Sequence, residues 1–257
     1  MKRRIKMIAT DLDGTLLRDD KTISEYTKAV LNRCREAGIK VVYATGRGGS
    51  ASRVVPSDMF DGRITMNGAI GIAGDTEVYN RLVPYEAARP VLLACHERGL
   101  KTTSELSGMH YSNFDVNAEW PFITNFEIVD FAHHALDAEK LYAVVQSPDD
   151  ATFIEKLLPP ELYLTVSRDG LAQVMHKDAT KSKALAALAQ VWGIAPAEIV
   201  AFGDDSNDID MLIYVGVGVA MGNAVDVVKA VCEHSALSNE EDGLAGWVVE
   251  NVLGTAT

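Results

Sequence analysis

The sequence predicts an α/β protein, a doubly wound parallel sheet with an α+β segment inserted into it. Three observations predict this. Short apolar runs alternate with helical patterns at both ends of the 257-residue chain, a rhythm that builds parallel strands with helices on both faces. Each apolar run stops at a group of acids, hydroxyls or glycines. Between the two ends, from about Val83 to His176, the rhythm changes to helix, short alternating segments, helix and more alternation. The expected layout is therefore a core from 1–82 and 177–257 and an insert at 83–176.

The elements follow in order. Ile5 to Leu12 is an apolar run that reads as a buried strand delivering Asp11 at its C-terminal end. Thr22-Ile23-Ser24-Glu25 resembles a capping box. After it, Ala29, Val30, Cys34 and Ala37 share one helical face, closed by Gly38. Lys40 to Ala44 is a second strand, ending at Thr45-Gly46-Arg47. Ile64 to Met66 is a third, ending at Asn67-Gly68. In the insert, Lys101–Glu105, His110–Asn113, Leu141–Gln146, Tyr163–Ser167 and Ala172–His176 read as strands, with turns at Ser107-Gly108 and Asp169-Gly170. Beyond it, Leu185, Leu188, Ala189 and Trp192 form a helical face closed by Gly193. Ile199 to Phe202 is a strand ending at Gly203-Asp204-Asp205, and Val217 to Met221 another, ending at Gly222-Asn223.

The chemistry gathers at the strand ends, where ligands bind in sheets of this kind. Asp11 and Asp13 alternate on an extended end and can share one site. Two close carboxylates call for a proton or a cation, and a hard ion such as Mg²⁺ suits them. Alone, such a pair equally describes a solvated turn. Gly203-Asp204-Asp205-Ser206-Asn207-Asp208 holds more acids than helix capping needs. Asp204 reads as a metal ligand and Asp208 as its support. The Thr45 hydroxyl and the backbone beside Gly46 suit a phosphate oxygen. Lys181, near a helix start, runs against the helix dipole unless an anion lies close; Lys183 competes for that role.

Composition narrows the partners. With 24 basic and 36 acidic residues the net charge is −12, which disfavours nucleic acid and anionic membranes. No run approaches the ~18 apolar residues of a membrane span. The short apolar stretch after the basic Met1–Arg4 start is too brief for a signal segment, so a cytoplasmic location is expected. Cys34, Cys95 and Cys232 show no metal spacing and read as small packed hydrophobes. His133-His134 reads as a surface pair. His110, Asn113, Asp115, Trp120 and His176 are candidate cleft residues of the insert. Oligomeric state is not legible.

Taken together, DLDGTLL (11–17), ATGR (44–47), Asn67-Gly68-Ala69, ATKSKAL (179–185) and FGDDSNDIDML (202–212) resemble the four motifs of the haloacid-dehalogenase superfamily. AMGNA (220–224) and SNEEDGLA (238–245) resemble its Cof-like sugar-phosphatase branch. The resemblance implies a Rossmann-like core with a cap domain, and a Mg²⁺-dependent phosphatase of small phosphorylated metabolites. It implies that Asp11 is the nucleophile and Asp13 the general acid/base. Asp11, Asp204 and the Asp13 carbonyl would hold Mg²⁺, with Asp208 orienting that shell. Thr45, Gly46 and Lys181 would bind the phosphoryl group, joined by Asn67 and Asn207. Ser182 departs from the glycine that many relatives carry after the lysine. For Asp13 to act first as an acid, its surroundings are expected to favour the neutral form. A phosphomutase of the same chemistry fits these residues too, as does, in another class, a receiver-like phospho-aspartate module.

Overall fold

The computed structural model describes residues 5–167 and 170–254. The Met1–Arg4 start and Asp169 of the expected turn lie outside them. The chain divides into two compact units, one from Met1–Asn80 with Thr180–Thr257 and one from Arg81–Ala179.

The first unit begins with β1 (Met7–Thr10), which is buried at every position. α1 (Glu25–Glu36) starts at Ser24, whose side chain accepts from the Thr27 amide. The expected cap at Thr22 is displaced because the Thr22 hydroxyl bonds Asp20 instead, at 2.6 Å. Thr27, Val30, Leu31 and Cys34 form the buried face of α1. β2 (Lys40–Ala44) follows, then β3 (Gly62–Thr65), β4 (Ile70–Ala73) and β5 (Thr76–Asn80). The last two form an antiparallel hairpin that the sequence did not predict.

The inserted unit contains α2 (Tyr85–Glu97), β6 (Lys101–Leu106), β7 (Met109–Ser112), the short α3 (Val116–Glu119), β8 (Phe126–Ile128), β9 (Lys140–Val144), α4 (Pro148–Leu157), β10 (Leu162–Val166) and β11 (Leu171–His176). Its sheet runs β10-β11-β9-β6-β7-β8. Leu141, Ala143, Ala172 and Val174 pack with Val91, Leu92 and Cys95 of α2 and Ile154 of α4 into one core. This is an α+β unit with both long helices on a largely antiparallel sheet. β8 was not expected; its three residues are too few to show alternation.

The chain returns through α5 (Lys181–Val191), β12 (Ile199–Gly203), α6 (Ile209–Tyr214), β13 (Val217–Ala220), α7 (Asp226–Val231), β14 (His234–Ser235) and α8 (Gly243–Val248). The first unit's sheet has the order β14-β13-β12-β1-β2-β3-β4-β5. It is parallel from β14 to β3. β1 sits between β2 and β12, with Ile8 opposite Val41 and Val200. β1 and β12 are buried throughout, so helices cover both faces, as a parallel sheet requires. Phe202 of β12, fully buried, meets Trp247 of α8 edge-on at 5.5 Å. The α/β prediction holds. No helix among the described residues is long and apolar enough to cross a membrane.

Candidate active site

The centre of the sheet brings three chain-distant groups together. β1 and β12 are parallel neighbours, so their C-terminal ends lie side by side. Asp11 follows β1 directly, and its amide donates to the Phe202 carbonyl at 3.0 Å. Asp204 follows β12. Asp208 lies four residues on, and its Oδ2 accepts from the amides of Asp204 (3.0 Å) and Asp205 (3.1 Å). Lys181 opens α5, and its side chain is fully buried. Its Nζ donates to Asp11 Oδ1 and to Asp208 Oδ1, each at 2.6 Å. Lys183 is exposed, so of the two lysines it is Lys181 that touches these carboxylates.

The electrostatics of this group are unbalanced. Oxygens of Asp11, Asp204 and Asp208 lie within 4.8 Å of one another, and among the described residues only one ammonium, that of Lys181, touches them. Three carboxylates and one lysine leave two negative charges in a largely buried place. Burial pushes the Asp11 carboxyl up, Lys181 pulls it down, and Asp208 pushes it up again. Asp204 is pushed up to about 6, first by burial, despite the Thr15 hydroxyl that donates to its Oδ1 at 2.7 Å. Burial would lower Lys181, but Asp11 and Asp208 raise it. Clustered carboxylate oxygens with surplus negative charge are the donor set a hard divalent cation prefers. The residues therefore fit Mg²⁺.

Asp13 does not join this cluster. Its carboxylate forms a two-pronged pair with Arg47, Nε to Oδ2 at 2.5 Å and Nη2 to Oδ1 at 2.7 Å. Lys21 Nζ adds a third contact at 2.9 Å. The Arg47 hydrogen bonds hold its pKa down, to about 2. This corrects the expectation that its surroundings favour the neutral form. It also separates the Asp13 side chain from the carboxylates that suit a metal. Arg47 lay inside the quoted ATGR segment but was not singled out there. Nothing in the pattern pointed to Lys21 or Thr15.

The remaining expected residues line the adjoining strand ends. Thr45 follows β2, is 1% exposed, and its hydroxyl accepts from the Arg47 amide at 3.1 Å. Met66 and Asn67 both have positive φ, turning the chain sharply after β3. Asn67 Oδ1 accepts from Asn207 Nδ2 at 3.0 Å, joining two expected contacts across 140 residues. A side chain at Gly46 would meet Asn67 Oδ1 at 2.9 Å. Gly68 has φ +103, and a Cβ there would lie 2.1 Å from the Thr180 carbonyl oxygen and 2.7 Å from the Lys181 amide. Gly68→Ala is thus expected to cost about 1–3 kcal/mol from overpacking alone and to lower turnover by displacing Lys181. Denaturant unfolding and kcat, measured together, check this; unchanged values for both would refute it.

Several insert candidates have local duties. Asn113 holds the Thr102 amide and the Leu100 carbonyl, Asp115 caps α3, and His176 accepts from the Asp178 amide. His110 Nδ1 meets the Tyr142 hydroxyl at 3.0 Å, and Trp120 stands edge-on to Tyr142. His133 is exposed beside Asp130, while His134 lies half-buried against Tyr111.

Comparison with known proteins adds to this geometry. The sequence model of the haloacid dehalogenase-like hydrolase family matches residues 8–248. The chain belongs to the haloacid dehalogenase-like hydrolases. A putative phosphatase of Haemophilus influenzae is 31% identical over 254 residues, covering 93% of this chain and 95% of that protein. A 5-amino-6-(5-phospho-D-ribitylamino)uracil phosphatase of Bacillus subtilis is 26% identical, covering 97% and 98%. A solved phosphatase of the same superfamily from Bacteroides thetaiotaomicron superposes with a TM-score of 0.84 at 26% identity, covering 96% of this chain and 94% of that one. Among haloacid dehalogenase-like hydrolases this chain falls in the Cof-like branch and is a phosphatase.

Proposed function

We propose that this chain is a Mg²⁺-dependent phosphatase of sugar phosphates or related metabolites, working through an aspartyl-phosphate on Asp11. The observation that carries the reading is Lys181, buried between Asp11 and Asp208 with Asp204 beside them. Asp11, Asp204 and the Asp13 carbonyl would hold the ion, with Asp208 setting the position of Asp204 through its amide. When bound, Mg²⁺ supplies positive charge that offsets repulsion between a carboxylate and a phosphate monoester.

The protein's own groups supply the rest. Lys181 opposes the burial that raises the Asp11 pKa, orients its carboxyl, and faces the charge that builds on the phosphoryl oxygens. Asp11 attacks phosphorus in line while the bond to the leaving alkoxide breaks. Thr45, the backbone at Gly46, and the Asn67–Asn207 pair border the place where those oxygens lie. Asp13 protonates the alkoxide and then takes a proton from the water that cleaves the aspartyl-phosphate. As placed, ionised against Arg47 and Lys21, Asp13 is ready for the second of these steps. For the first it exchanges those cations for a proton. The Arg81–Ala179 insert would act as the cap that reads the leaving group. The name of the Bacillus subtilis relative, a phosphorylated ribityl compound, fits a polyol-bearing substrate. Three unpaired thiols suit the cytoplasm.

The test is a phosphate-release screen with Mg²⁺ over sugar phosphates, alditol phosphates and cofactor phosphates. Release of inorganic phosphate separates hydrolysis from a mutase, which returns an isomerised phosphoester. Asp204→Ala is expected to raise the Mg²⁺ concentration needed for half-maximal activity by tenfold or more, about 1.4 kcal/mol of lost binding. An unchanged Mg²⁺ requirement would remove Asp204 from the ligand set.

A further inference from the structure

The segments 220–224 and 238–245 have no part in the chemistry above, yet both reach the loop that follows the nucleophile. That loop runs from Asp13 to Thr22. Its start is folded by the Leu17 amide donating to Leu12 O at 2.8 Å. Its tip is a tight turn in which Arg18 N donates to Thr22 O and Lys21 N to Arg18 O, each at 2.9 Å, with Lys21 at φ +67. The tip delivers Lys21 to Asp13. Asp19, Asp20 and Lys21 are exposed, so the tip has little apolar burial to hold it.

Polar contacts hold it instead. Asn223 Nδ2 donates to the Gly14 carbonyl at 2.7 Å, and its Oδ1 accepts from the Asn239 amide at 3.1 Å. Asn239, 5% exposed, donates through Nδ2 to the Leu17 carbonyl at 3.0 Å and to Asp19 Oδ1 at 3.2 Å. Glu240 accepts from the Asp19 amide at 2.7 Å. Asp242, itself at φ +54, accepts from Arg18 at 2.9 Å and from Thr27 of α1 at 3.2 Å. The loop is thus gripped at Gly14, Leu17, Arg18 and Asp19 by residues more than 200 positions away.

Gly14 is the sensitive point. With φ +82, it leaves room for Asp204, whose Oδ2 would lie 2.3 Å from a Cβ there. The peptide that Asn223 holds leads directly to Thr15, and the Thr15 hydroxyl holds Asp204. A small shift of this turn moves Asp13 on one side and Asp204 on the other.

We propose that Asn223 and Asn239 form a clamp on the Asp13–Thr22 loop and are positioning residues for Asp13 and Asp204. The inference rests on the roles assigned to those two aspartates. The experiment compares Asn223→Ala, Asn239→Ala and wild type with p-nitrophenyl phosphate and Mg²⁺, well below the melting temperature. Amide exchange of the 12–22 segment is followed by mass spectrometry on the same samples. The clamp predicts a kcat loss of about 10- to 100-fold, as an ångström-scale misplacement produces. KM should stay within threefold, and exchange should quicken in 12–22 and not elsewhere. A kcat within twofold of wild type in Asn223→Ala overturns the clamp, as does a lowered melting temperature with unchanged kcat. If buried Asn239→Ala fails to fold, the exposed Asn223→Ala decides. An Asp11→Asn blank keeps the two readings apart. A dead blank with a fully active Asn223→Ala rejects the clamp alone, whereas an active blank rejects the proposed function.

Discussion

Asp11→Asn is expected to lower kcat by about 10⁴-fold or more, the scale of losing a catalytic nucleophile, without unfolding the protein. The amide has the shape of the carboxylate but neither its charge nor its nucleophilicity. Lys181 retains Asp208 at 2.6 Å, so no buried ammonium is left without a partner. One of three crowded carboxylates is gone, which relieves repulsion. Stability to denaturant should therefore match or exceed wild type while single-turnover phosphate release collapses. Near-normal turnover would show that another group receives the phosphoryl.

Lys181→Met is expected to damage both stability and rate. Methionine fills much of the space but brings no charge to Asp11 and Asp208, which are 6% and 0% exposed. Removing one member of a buried ion pair costs about 3–5 kcal/mol. Loss of a charge-stabilising donor costs a further factor of about 10²–10³ in kcat. The sign of the pH effect follows from Asp11, whose pKa burial already raises. Without Lys181 it rises further in the folded protein. A raised folded-state pKa gives stability that is present at low pH and lost as pH rises. Wild-type Asp11 is raised to about 8, so the deficit relative to wild type should widen as pH rises from neutrality through 8 toward 9, where only the wild-type carboxyl ionises. Urea unfolding across that range measures it. A constant deficit would mean that Lys181 acts through packing and not charge.

What could be read from the sequence was what depends on local pattern. β1, β2 and β12 are apolar runs that stop at polar clusters, so both the sheet and its reactive edge were visible. Local pattern left Lys183 a rival to Lys181 because each lies near the same helix start, and the resemblance favoured Lys181; the two also differ in burial. The β4–β5 hairpin escaped because Gly71 interrupts the four-residue β4, leaving too short a run to show alternation. Asp13 was misjudged for a different reason. Alternation places Asp11 and Asp13 on one side of an extended strand, but β1 ends at Thr10 and the chain turns at Gly14. Its partners are Arg47, from the loop after β2, and Lys21, from the tip of its own loop, and no spacing rule links them.

The placement of β1 has a consequence for how the molecule comes into being. Ile8 pairs with Val41 early in the chain but with Val200 only much later. At about 5–20 residues per second, the ribosome takes roughly 10–40 s to supply that second neighbour. Throughout this interval one edge of the central strand lacks its partner, while the Arg81–Ala179 unit, contiguous in sequence, emerges entire. The nascent chain thus completes its insert before its reactive centre. Asp11 acquires Lys181 and Asp208 only after the whole insert has been made.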